Sequence, residues 1–277
     1  MSVRHQMTQP AAPDVAKLIQ NALAVVDPGL RQFTYPLFAV DEHDRPELFA
    51  SSVLIEVDGR TVLITAAHAI SEILGVESRV HVGLDGGIET LPPFILSSHG
   101  GADPYDLAAV EITGEMAHRF RKPLPLAQTS VVGDPHMRVI HGFPVTKNTL
   151  RKSVDEIAKK FSAHAFTYAG ASKGLEDRYA QFGKDPAIHI ALQYQKKGRN
   201  DGGDIVHPPH PRGISGGGLW QVPDVYRPNE VRLEGIAFEF HKTGPLVFAT
   251  RIEYVVTFVR QYVLADKAGP EAAESDA

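Results

Sequence analysis

The sequence predicts an all-β protein with one helix added at each end. Short apolar runs of β-forming residues, separated by turn signals, recur between residues 33 and 250. This spacing is typical of sandwiches and barrels. The strict alternation of strands and helices that a doubly wound fold requires is missing from the pattern. The clearest helical spacing of apolar residues lies outside these runs, near the two ends of the chain.

The first helix is predicted over residues 15–26. Asp14 directly precedes it and is a suitable N-cap residue, and the apolar residues that follow form one stripe at helical spacing. Asp27, Pro28 and Gly29 are predicted to end the helix. Because the stripe is apolar, it must pack against the body of the protein.

The predicted strands fall into two sets along the chain. Asp58-Gly59 separates two runs of the first set, and an Asp-Gly pair between apolar runs is a strong hairpin signal. The first set comprises residues 33–40, 51–57, 61–66, 79–83, 88–91 and 107–112. The second set comprises residues 131–132, 139–140, 166–168, 188–193, 219–221, 231–240 and 246–250.

Two further segments complete the chain. Residues 145–185 are long, polar and locally basic, which indicates an insertion, and residues 153–161 within them are predicted to form a helix. Apolar residues keep helical spacing again between Ile252 and Val263. Beyond them, residues 266–277 carry four acidic side chains against one lysine, which predicts a solvated acidic tail.

Composition excludes several classes of function. The 277 residues contain no cysteine, which excludes disulfides, thiolate catalysis and cysteine-ligated zinc. The net charge of −5 argues against a surface that coats nucleic acid. The N-terminus is polar, and no stretch reaches the roughly 18 apolar residues that a membrane helix needs. We therefore expect a cytoplasmic protein that binds neither nucleic acid nor membrane.

Three short motifs carry the residues of a candidate catalytic site. Residues 62–70 read VLITAAHAI and end an apolar strand just before His68. Residues 106–110 read DLAAV and place an acid at the start of another strand. Residues 213–220 read GISGGGLW and surround a serine with glycines.

These residue types fit nucleophilic acyl transfer. The hydroxyl of Ser215 is a weak nucleophile at neutral pH and needs an adjacent base, for which a histidine is well suited. A buried carboxylate such as Asp106 would hold the His68 ring in the correct tautomer and stabilise the imidazolium. The glycines allow backbone N–H groups to converge on a developing oxyanion, and those of Gly213 and Ser215 are the natural donors.

The three motifs resemble those of the chymotrypsin/trypsin family of serine peptidases. TAAH resembles the family's base motif, DLAAV its DLAL-type acid motif, and GISGGG its GxSGGP-type nucleophile loop. The order His68, Asp106, Ser215 is also that of chymotrypsin, and differs from the orders of subtilisin and the α/β-hydrolases. Flanking similarities extend the resemblance over residues 33–265, at residues 51–53, 233–236 and 247–256.

The resemblance implies a fold and a domain organisation. The implied fold is a chymotrypsin-like double antiparallel β-barrel with an added N-terminal helix and a C-terminal helix. The catalytic cleft would lie between the barrels. The implied divisions are a disordered N-terminus at 1–13, the helix and linker at 14–32, a peptidase domain at 33–265 and the tail at 266–277. Within the peptidase domain, barrel one covers about 33–127, and barrel two with the C-terminal helix covers about 128–265.

The resemblance also implies an activity and a set of site residues. The activity is that of a serine endopeptidase that works through a Ser-His-Asp triad and an acyl-enzyme, with no metal or organic cofactor. The residues implied for substrate binding are Pro209, Phe238, Glu239 and Phe240. Pro209 lies six residues before the serine, at the base of the primary pocket, where no acid stands to select lysine or arginine. Since Phe240 would narrow the entrance, we expect small or medium apolar residues before the cut.

One departure from the family pattern concerns activation. Ile214 occupies the position where secreted members carry an acid that pairs with a newly cut N-terminus. No activation sequence precedes the first strand either. We therefore expect activity without a cut near residue 33, with the oxyanion hole held by packing around Ile214 or ordered by a substrate or a regulatory protein partner.

Two other functions stay open at this point. One is a catalytically silent or conditionally active binding module on the same fold, since a fold does not guarantee activity. The other is a serine esterase that uses the same residues. His207 and His210 stand close together, but without a third ligand they favour loop residues over a metal site. The expected partner is a protein or peptide substrate.

Overall fold

The computed structural model describes residues 14–40, 45–74, 79–85, 87–97, 103–129, 133, 135, 137–148, 154–155, 160–161, 163–195, 197–199 and 204–265. The regular secondary structure is mostly β, in antiparallel sheets accompanied by a few helices. The prediction of an all-β protein is therefore confirmed. The predictions for residues 1–13, 131–132 and 266–277 lie outside the described residues.

The first sheet has eight strands, in the order β5-β4-β1-β2-β3-β7-β6, with β8 paired parallel to β2. At the tip of the β2–β3 hairpin, Asp58 and Gly59 have φ angles of 51° and 76°. Both are positive, as a two-residue type I′ turn requires, so the hairpin prediction is confirmed. The strands are β1 Thr34–Val40, β2 Pro46–Val57, β3 Arg60–Ala66, β4 His81–Leu84, β5 Gly87–Thr90, β6 Ile95–Leu96, β7 Leu107–Glu111 and β8 Leu124–Pro125.

The second sheet has six antiparallel strands, in the order β12-β9-β16-β17-β18-β13. Two short ladders, β10–β11 and β14–β15, stand apart from it. The strands are β9 Met137–Gly142, β10 Val154–Asp155, β11 Lys160–Phe161, β12 Phe166–Gly170, β13 His189–Gln193, β14 Gly198–Arg199, β15 Ile205–Val206, β16 Gly218–Val222, β17 Arg232–His241 and β18 Leu246–Arg251.

The helices are short except for the first. Of those in the described residues, none is long and apolar enough to cross a membrane. They are α1 Val15–Leu30, α2 Ala67–Leu74, α3 Gly114–Ala117, α4 Glu176–Gln181 and α5 Ile252–Phe258, with 3₁₀ turns at Leu126–Thr129 and Val145–Lys147 and a π-helical turn at Val259–Val263. The last helix and turn agree with the helical spacing of the sequence.

The N-terminal helix is longer than predicted, because α1 continues through Pro28 to Leu30. A proline inside a helix removes one hydrogen bond and crowds the preceding turn. Here Leu30 is fully buried on the same stripe as Ala22 and Val26, so burial of one more apolar side chain favours the extra turn. Asp27, predicted to end the helix, accepts a hydrogen bond from the Thr167 hydroxyl of β12.

The helix predicted over residues 153–161 is wrong in the part that the structure describes. Val154–Asp155 and Lys160–Phe161 pair instead as antiparallel strands. Valine and phenylalanine favour strands by their shape, and this tendency prevails over a weak helical pattern in a polar segment. Among the described residues of 145–185, the α-helix is α4, which was not predicted.

A shared core joins the two sheets and both terminal helices. Val53 and Ile64 of the first sheet pack in one cluster with Trp220 and Ile236 of the second. The apolar stripe of α1 and residues of α5 belong to the same cluster, as the stripe's need for a partner predicted. Because this core connects the sheets, it fixes the position of the loops at their shared edge.

A buried ion pair within the second sheet leads to a stability prediction. Glu234 is fully buried and receives two hydrogen bonds from the Arg138 guanidinium, at 2.6 and 2.8 Å. Glu234→Gln leaves the arginine charge without its counter-charge, and we expect a loss of about 3 kcal/mol in the free energy of unfolding. Urea unfolding followed by the fluorescence of Trp220, the single tryptophan, measures it.

A surface pair provides the matched control. Asp58 and Arg260 form an ion pair at 2.7 Å, with about half of each side chain exposed. Asp58→Asn removes this charge pair and keeps a residue type that tolerates the turn geometry, so we expect a much smaller loss. Equal losses in the two variants would contradict the importance assigned to the buried pair.

Candidate active site

His68 and Asp106 meet where two neighbouring strands of the first sheet end. His68 lies at the start of α2, two residues beyond Ala66 of β3, and Asp106 directly precedes Leu107 of β7. Ala66 and Leu107 are register partners, so the two side chains start from adjacent backbone. His68 Nδ1 lies 2.7 Å from one carboxylate oxygen of Asp106, and the His68 backbone N–H donates to the other at 2.8 Å.

The backbone of Asp106 is held in an unusual conformation. Its φ angle is 49°, in the left-handed region that non-glycine residues rarely adopt. The Asp103 carboxylate accepts hydrogen bonds from the N–H groups of Tyr105 and Asp106 and from the Ser97 hydroxyl. The Ser97 oxygen in turn accepts the N–H of Leu107 at 2.9 Å. This network compensates for the backbone strain and directs the Asp106 side chain towards His68.

The second sheet also holds the acid loop. The Thr250 hydroxyl of β18 donates to the Tyr105 carbonyl at 2.6 Å. The ring of His189, on β13, lies with Nε2 at 2.6 Å from the Pro104 carbonyl. The loop that carries Asp106 is therefore tied to both sheets.

The serine loop, residues 211–217, contacts the strand that leads to His68. Gly216 has a φ angle of 83°, and a Cβ there would lie 2.0 Å from the Ser51 carbonyl and 2.1 Å from the Thr65 hydroxyl. Only glycine allows this approach. Since Thr65 is three residues before His68, the contact brings Ser215 to the same edge of the molecule as His68 and Asp106.

The peptide groups of the serine loop have fixed directions. The Arg212 carbonyl accepts the Val145 N–H at 2.9 Å, and the Ile214 carbonyl accepts the Gly217 N–H at 2.7 Å. In a trans peptide the N–H points opposite to the C=O, so the N–H groups of Gly213 and Ser215 point away from these contacts. Neither N–H donates a hydrogen bond within the described part of the chain. Both predicted donors are therefore available.

Ile214 is buried, with 2% of its surface exposed, in an apolar cluster with Ile140 of β9 and Ala237 of β17. The predicted packing around this residue is thus present. Backbone bonds add to it, because the Gly216 N–H donates to the Ala237 carbonyl and the Ala237 N–H donates to the Gly217 carbonyl. Apolar burial and strand β17 together hold the loop.

The structure does not join the serine to the histidine by a hydrogen bond. Within the described residues, neither Ser215 Oγ nor His68 Nε2 has a hydrogen-bond partner. His68 is 39% exposed at its side chain and Asp106 19%, so the pair is accessible from solvent. Catalytic hydrogen bonds are often long before a substrate binds, and this arrangement is compatible with that behaviour.

The surroundings of His68 raise its pKa above the usual 6.5. Burial alone favours the neutral ring and acts in the opposite direction. The hydrogen bond to Asp106 and the charge of that carboxylate outweigh burial, and the carboxylates of Glu72 and Glu239 add to them. His68 is therefore a stronger base than an isolated histidine.

The predicted substrate-binding residues of β17 have different surroundings. Phe238 is 5% exposed and packs with Ala66 of β3, so its side chain belongs to the core. Glu239 is 37% exposed, forms an ion pair with Lys184 and lies 2.8 Å from His241 Nε2. Phe238 thus cannot offer its side chain to a substrate, because a β-bulge between Ala237 and Glu239 leaves it facing inward.

Pro209 and Phe240 are connected by a residue that sequence reasoning missed. The Tyr194 hydroxyl donates to the Pro209 carbonyl at 2.7 Å, and the Tyr194 ring packs edge-on against Phe240 with centroids 5.8 Å apart. The ring of His210 packs on Phe240 as well. Burial raises the pKa of the Tyr194 hydroxyl, which keeps it a donor. No local pattern marks Tyr194, because its partners lie 15 and 46 positions further along the chain.

Metal ligands are not grouped in the described residues. No cluster of three or more histidine, aspartate or glutamate side chains there could hold a metal ion. His210 instead accepts the Arg212 N–H through Nδ1 and packs on Phe240.

Comparisons with known proteins add little to the site. No family model matches the chain, and no curated protein matches it. One similar solved structure comes from work on coupled folding and binding of the intrinsically disordered Sesbania mosaic virus VPg protein. It is 14% identical, with 82% of this chain and 95% of that chain covered and a TM-score of 0.45. Another, an atomic-resolution structure of HBP, is 15% identical, with coverage of 86% and 94% and a TM-score of 0.48. At these values neither structure indicates an activity for this chain.

Proposed function

We propose that the chain is a serine endopeptidase of the chymotrypsin type. The observation that carries the proposal is the pairing of the Asp106 carboxylate with both His68 Nδ1 and the His68 backbone N–H, beside a glycine-rich serine loop. The fold proposed with it is a double antiparallel β-barrel with the cleft between the barrels. Two successive sheets support that fold. The first sheet supplies the histidine and the acid, and the second adjoins the serine.

In the proposed reaction, Ser215 Oγ attacks the carbonyl carbon of the peptide bond while His68 Nε2 takes the hydroxyl proton. Asp106 accepts a hydrogen bond from the Nδ1–H of His68, which keeps the ring proton on Nδ1 and leaves Nε2 free to accept the serine proton. The N–H groups of Gly213 and Ser215 stabilise the negative oxygen of the tetrahedral intermediate. His68 then gives its proton to the leaving amine, and water hydrolyses the acyl-enzyme by the same steps.

The proposed substrate is a protein or peptide that pairs with β17. Strand β16 pairs with β17 only as far as Ile236, whereas β18 follows it to His241. Within the described residues, the edge of β17 beyond Ala237 has no strand partner, so an extended peptide has backbone groups to bind there. The Tyr194 and Phe240 rings beside Pro209 favour a small or medium apolar residue before the cut.

The test is to treat the intact chain with a fluorophosphonate and to find the modified residue by peptide mass. Modification of Ser215 supports an enzyme, and its absence favours the silent binding module. A peptide library then separates a peptidase from an esterase, because an esterase would cleave small acyl esters and leave every peptide intact. A regulatory protein partner would raise labelling without any change in chain length.

The raised pKa of His68 leads to a prediction about pH. Protonated His68 cannot accept the serine proton, so labelling of Ser215 is lost as the pH falls through the pKa of His68. Because that pKa lies above 6.5, we expect the midpoint of the acidic limb above 6.5. Labelling rates measured from pH 5 to 9 give the midpoint.

A matched variant checks the cause of this shift. Glu72→Gln removes one of the weaker charges that raise the pKa of His68. It should therefore lower the pH midpoint of Ser215 labelling slightly, while the labelling rate at high pH stays unchanged. A midpoint below 6.5 in the native chain would mean that burial prevails over the Asp106 pair, and it would contradict the prediction.

A further inference from the structure

We infer that Ser51 is a positioning residue, whose hydroxyl holds the backbone of the serine loop in the orientation that oxyanion binding needs. The inference rests on the proposed function. Ser51 lies in β2 and is fully buried, 162 positions from the loop residue that it binds. Its hydroxyl donates to the Gly213 carbonyl at 2.7 Å and accepts the Phe143 N–H at 2.8 Å.

Ser51 also binds the loop through its backbone. Its N–H donates to the Ser215 carbonyl at 2.8 Å, and its own carbonyl accepts the Thr65 hydroxyl at 2.7 Å. Ser51 thus holds the carbonyl groups of Gly213 and Ser215, the two residues whose N–H groups are the proposed oxyanion donors. Thr65 connects this arrangement to the strand that leads to His68.

The Ser51 hydroxyl is the group that holds the Gly213 carbonyl. Within the described residues, the Gly213 carbonyl has Ser51 Oγ as its hydrogen-bond donor, whereas the carbonyls of Arg212, Ile214 and Ser215 are held by backbone N–H groups. Gly213 has a φ angle of 92° and no side chain to limit its rotation. Without the hydroxyl, the bond from the Ile214 N–H to the Pro211 carbonyl, at 2.8 Å, still holds one end of this peptide, but its carbonyl end loses the Ser51 donor. A rotation of the backbone at Gly213 would then turn the Gly213 N–H away from the oxyanion.

Removal of the hydroxyl also leaves two buried backbone groups without this partner. The Gly213 carbonyl and the Phe143 N–H would both lose the hydrogen bond that Ser51 Oγ provides. An unsatisfied buried polar group is costly, so the loop would move to find other partners. Movement of Gly213 affects oxyanion binding directly, and it leaves the contact between His68 and Asp106 intact.

Ser52 offers a matched control on the same strand. It is also fully buried, and its hydroxyl donates to the Tyr35 carbonyl at 3.0 Å. Successive residues of a strand face opposite sides, so Ser52 binds β1 and not the serine loop. Ser51→Ala and Ser52→Ala therefore each remove one buried hydroxyl, and only the first removes a bond to the loop.

The experiment compares the rate of fluorophosphonate labelling at Ser215 in the native chain and in both variants. We expect Ser51→Ala to slow labelling at least about tenfold, short of the roughly 10²–10³-fold loss that follows deletion of an oxyanion donor itself. Ser52→Ala should leave the labelling rate close to that of the native chain, because the Ser52 hydroxyl has no bond to the serine loop. Ser51→Cys, which keeps a weak donor, should give an intermediate rate.

The pH midpoint separates this role from an effect on the base. Because Ser51 acts on Gly213, the midpoint of labelling in Ser51→Ala should equal that of the native chain. A native-like rate in Ser51→Ala would overturn the inference while the proposed function stands, and so would equal slowing in Ser51→Ala and Ser52→Ala. If the native chain is not labelled at Ser215, the proposed function fails and the role of Ser51 fails with it.

Discussion

Ser215→Ala is expected to abolish peptidase activity and fluorophosphonate labelling, with a loss on the order of 10⁴ to 10⁶ in turnover. The change removes the oxygen that, in the proposed mechanism, attacks the substrate and later carries the acyl group. Alanine leaves the backbone N–H groups of the loop in place, so the remaining activity would come from oxyanion binding and substrate positioning alone.

The same variant should fold as the native chain does. Ser215 Oγ has no hydrogen-bond partner within the described residues, and the loop is held through the backbone and through Ile214. We therefore expect the free energy of unfolding to change by less than about 0.5 kcal/mol, as for other sites away from buried networks. Trp220 fluorescence in urea measures this.

Ser71→Ala is a suitable control for the labelling experiment. Ser71 is exposed on α2, three residues after His68, and belongs to none of the proposed machinery. It should be labelled as the native chain is. If Ser215→Ala is turned over at the native rate, Ser215 is not the nucleophile, and the proposed mechanism is wrong.

Asp106→Asn is expected to reduce turnover by about 10⁴, the loss that the same change causes in a chymotrypsin-type triad. The geometry gives the reason. The His68 backbone N–H is a donor only, so it must face the amide oxygen of the asparagine. The NH₂ group then faces His68 Nδ1 and donates to it, which moves the ring proton to Nε2. With Nε2 protonated, His68 cannot accept a proton from Ser215.

The fold should tolerate this change. Asparagine adopts the left-handed backbone region readily, so the φ angle of 49° at position 106 adds no strain. Glu72→Gln serves as the control, since it removes a nearby negative charge without changing the tautomer. Similar losses in the two variants would assign the effect to charge and would contradict the tautomer explanation. Turnover is measured with a peptide substrate from the library.

Much of the fold could be predicted from local patterns. Short apolar runs between turn signals located most strands of both sheets. Asp58-Gly59 located a hairpin turn because the backbone of the turn needs such residue types at two adjacent positions. Where the pattern was weak, it failed. The extra turn of α1 beyond Pro28 depends on the burial of Leu30, and the ladder of residues 154–155 and 160–161 replaces a predicted helix.

The contact between His68 and Asp106 was also predictable, since each lies in a short motif beside the end of a strand. A strand end, a serine between glycines and an acid before a strand are local features that a sequence displays. The structure brings His68 and Asp106 into contact and sets the serine loop against β3. It does not bring Phe238 to the surface, because a bulge in β17 turns that side chain into the core.

The sequence by itself determined the β class and the hairpin at Asp58-Gly59, because these depend on residues close together in the chain. It also predicted the candidate triad, since each member lies in a short motif of its own. The tertiary structure alone decided that Ser51 holds Gly213, that Tyr194 lies between Pro209 and Phe240, and that Asp103 supports the backbone of Asp106. The first two contacts join distant segments, and the third depends on a backbone angle. Each arises from burial and hydrogen-bond geometry, which no spacing in the sequence records.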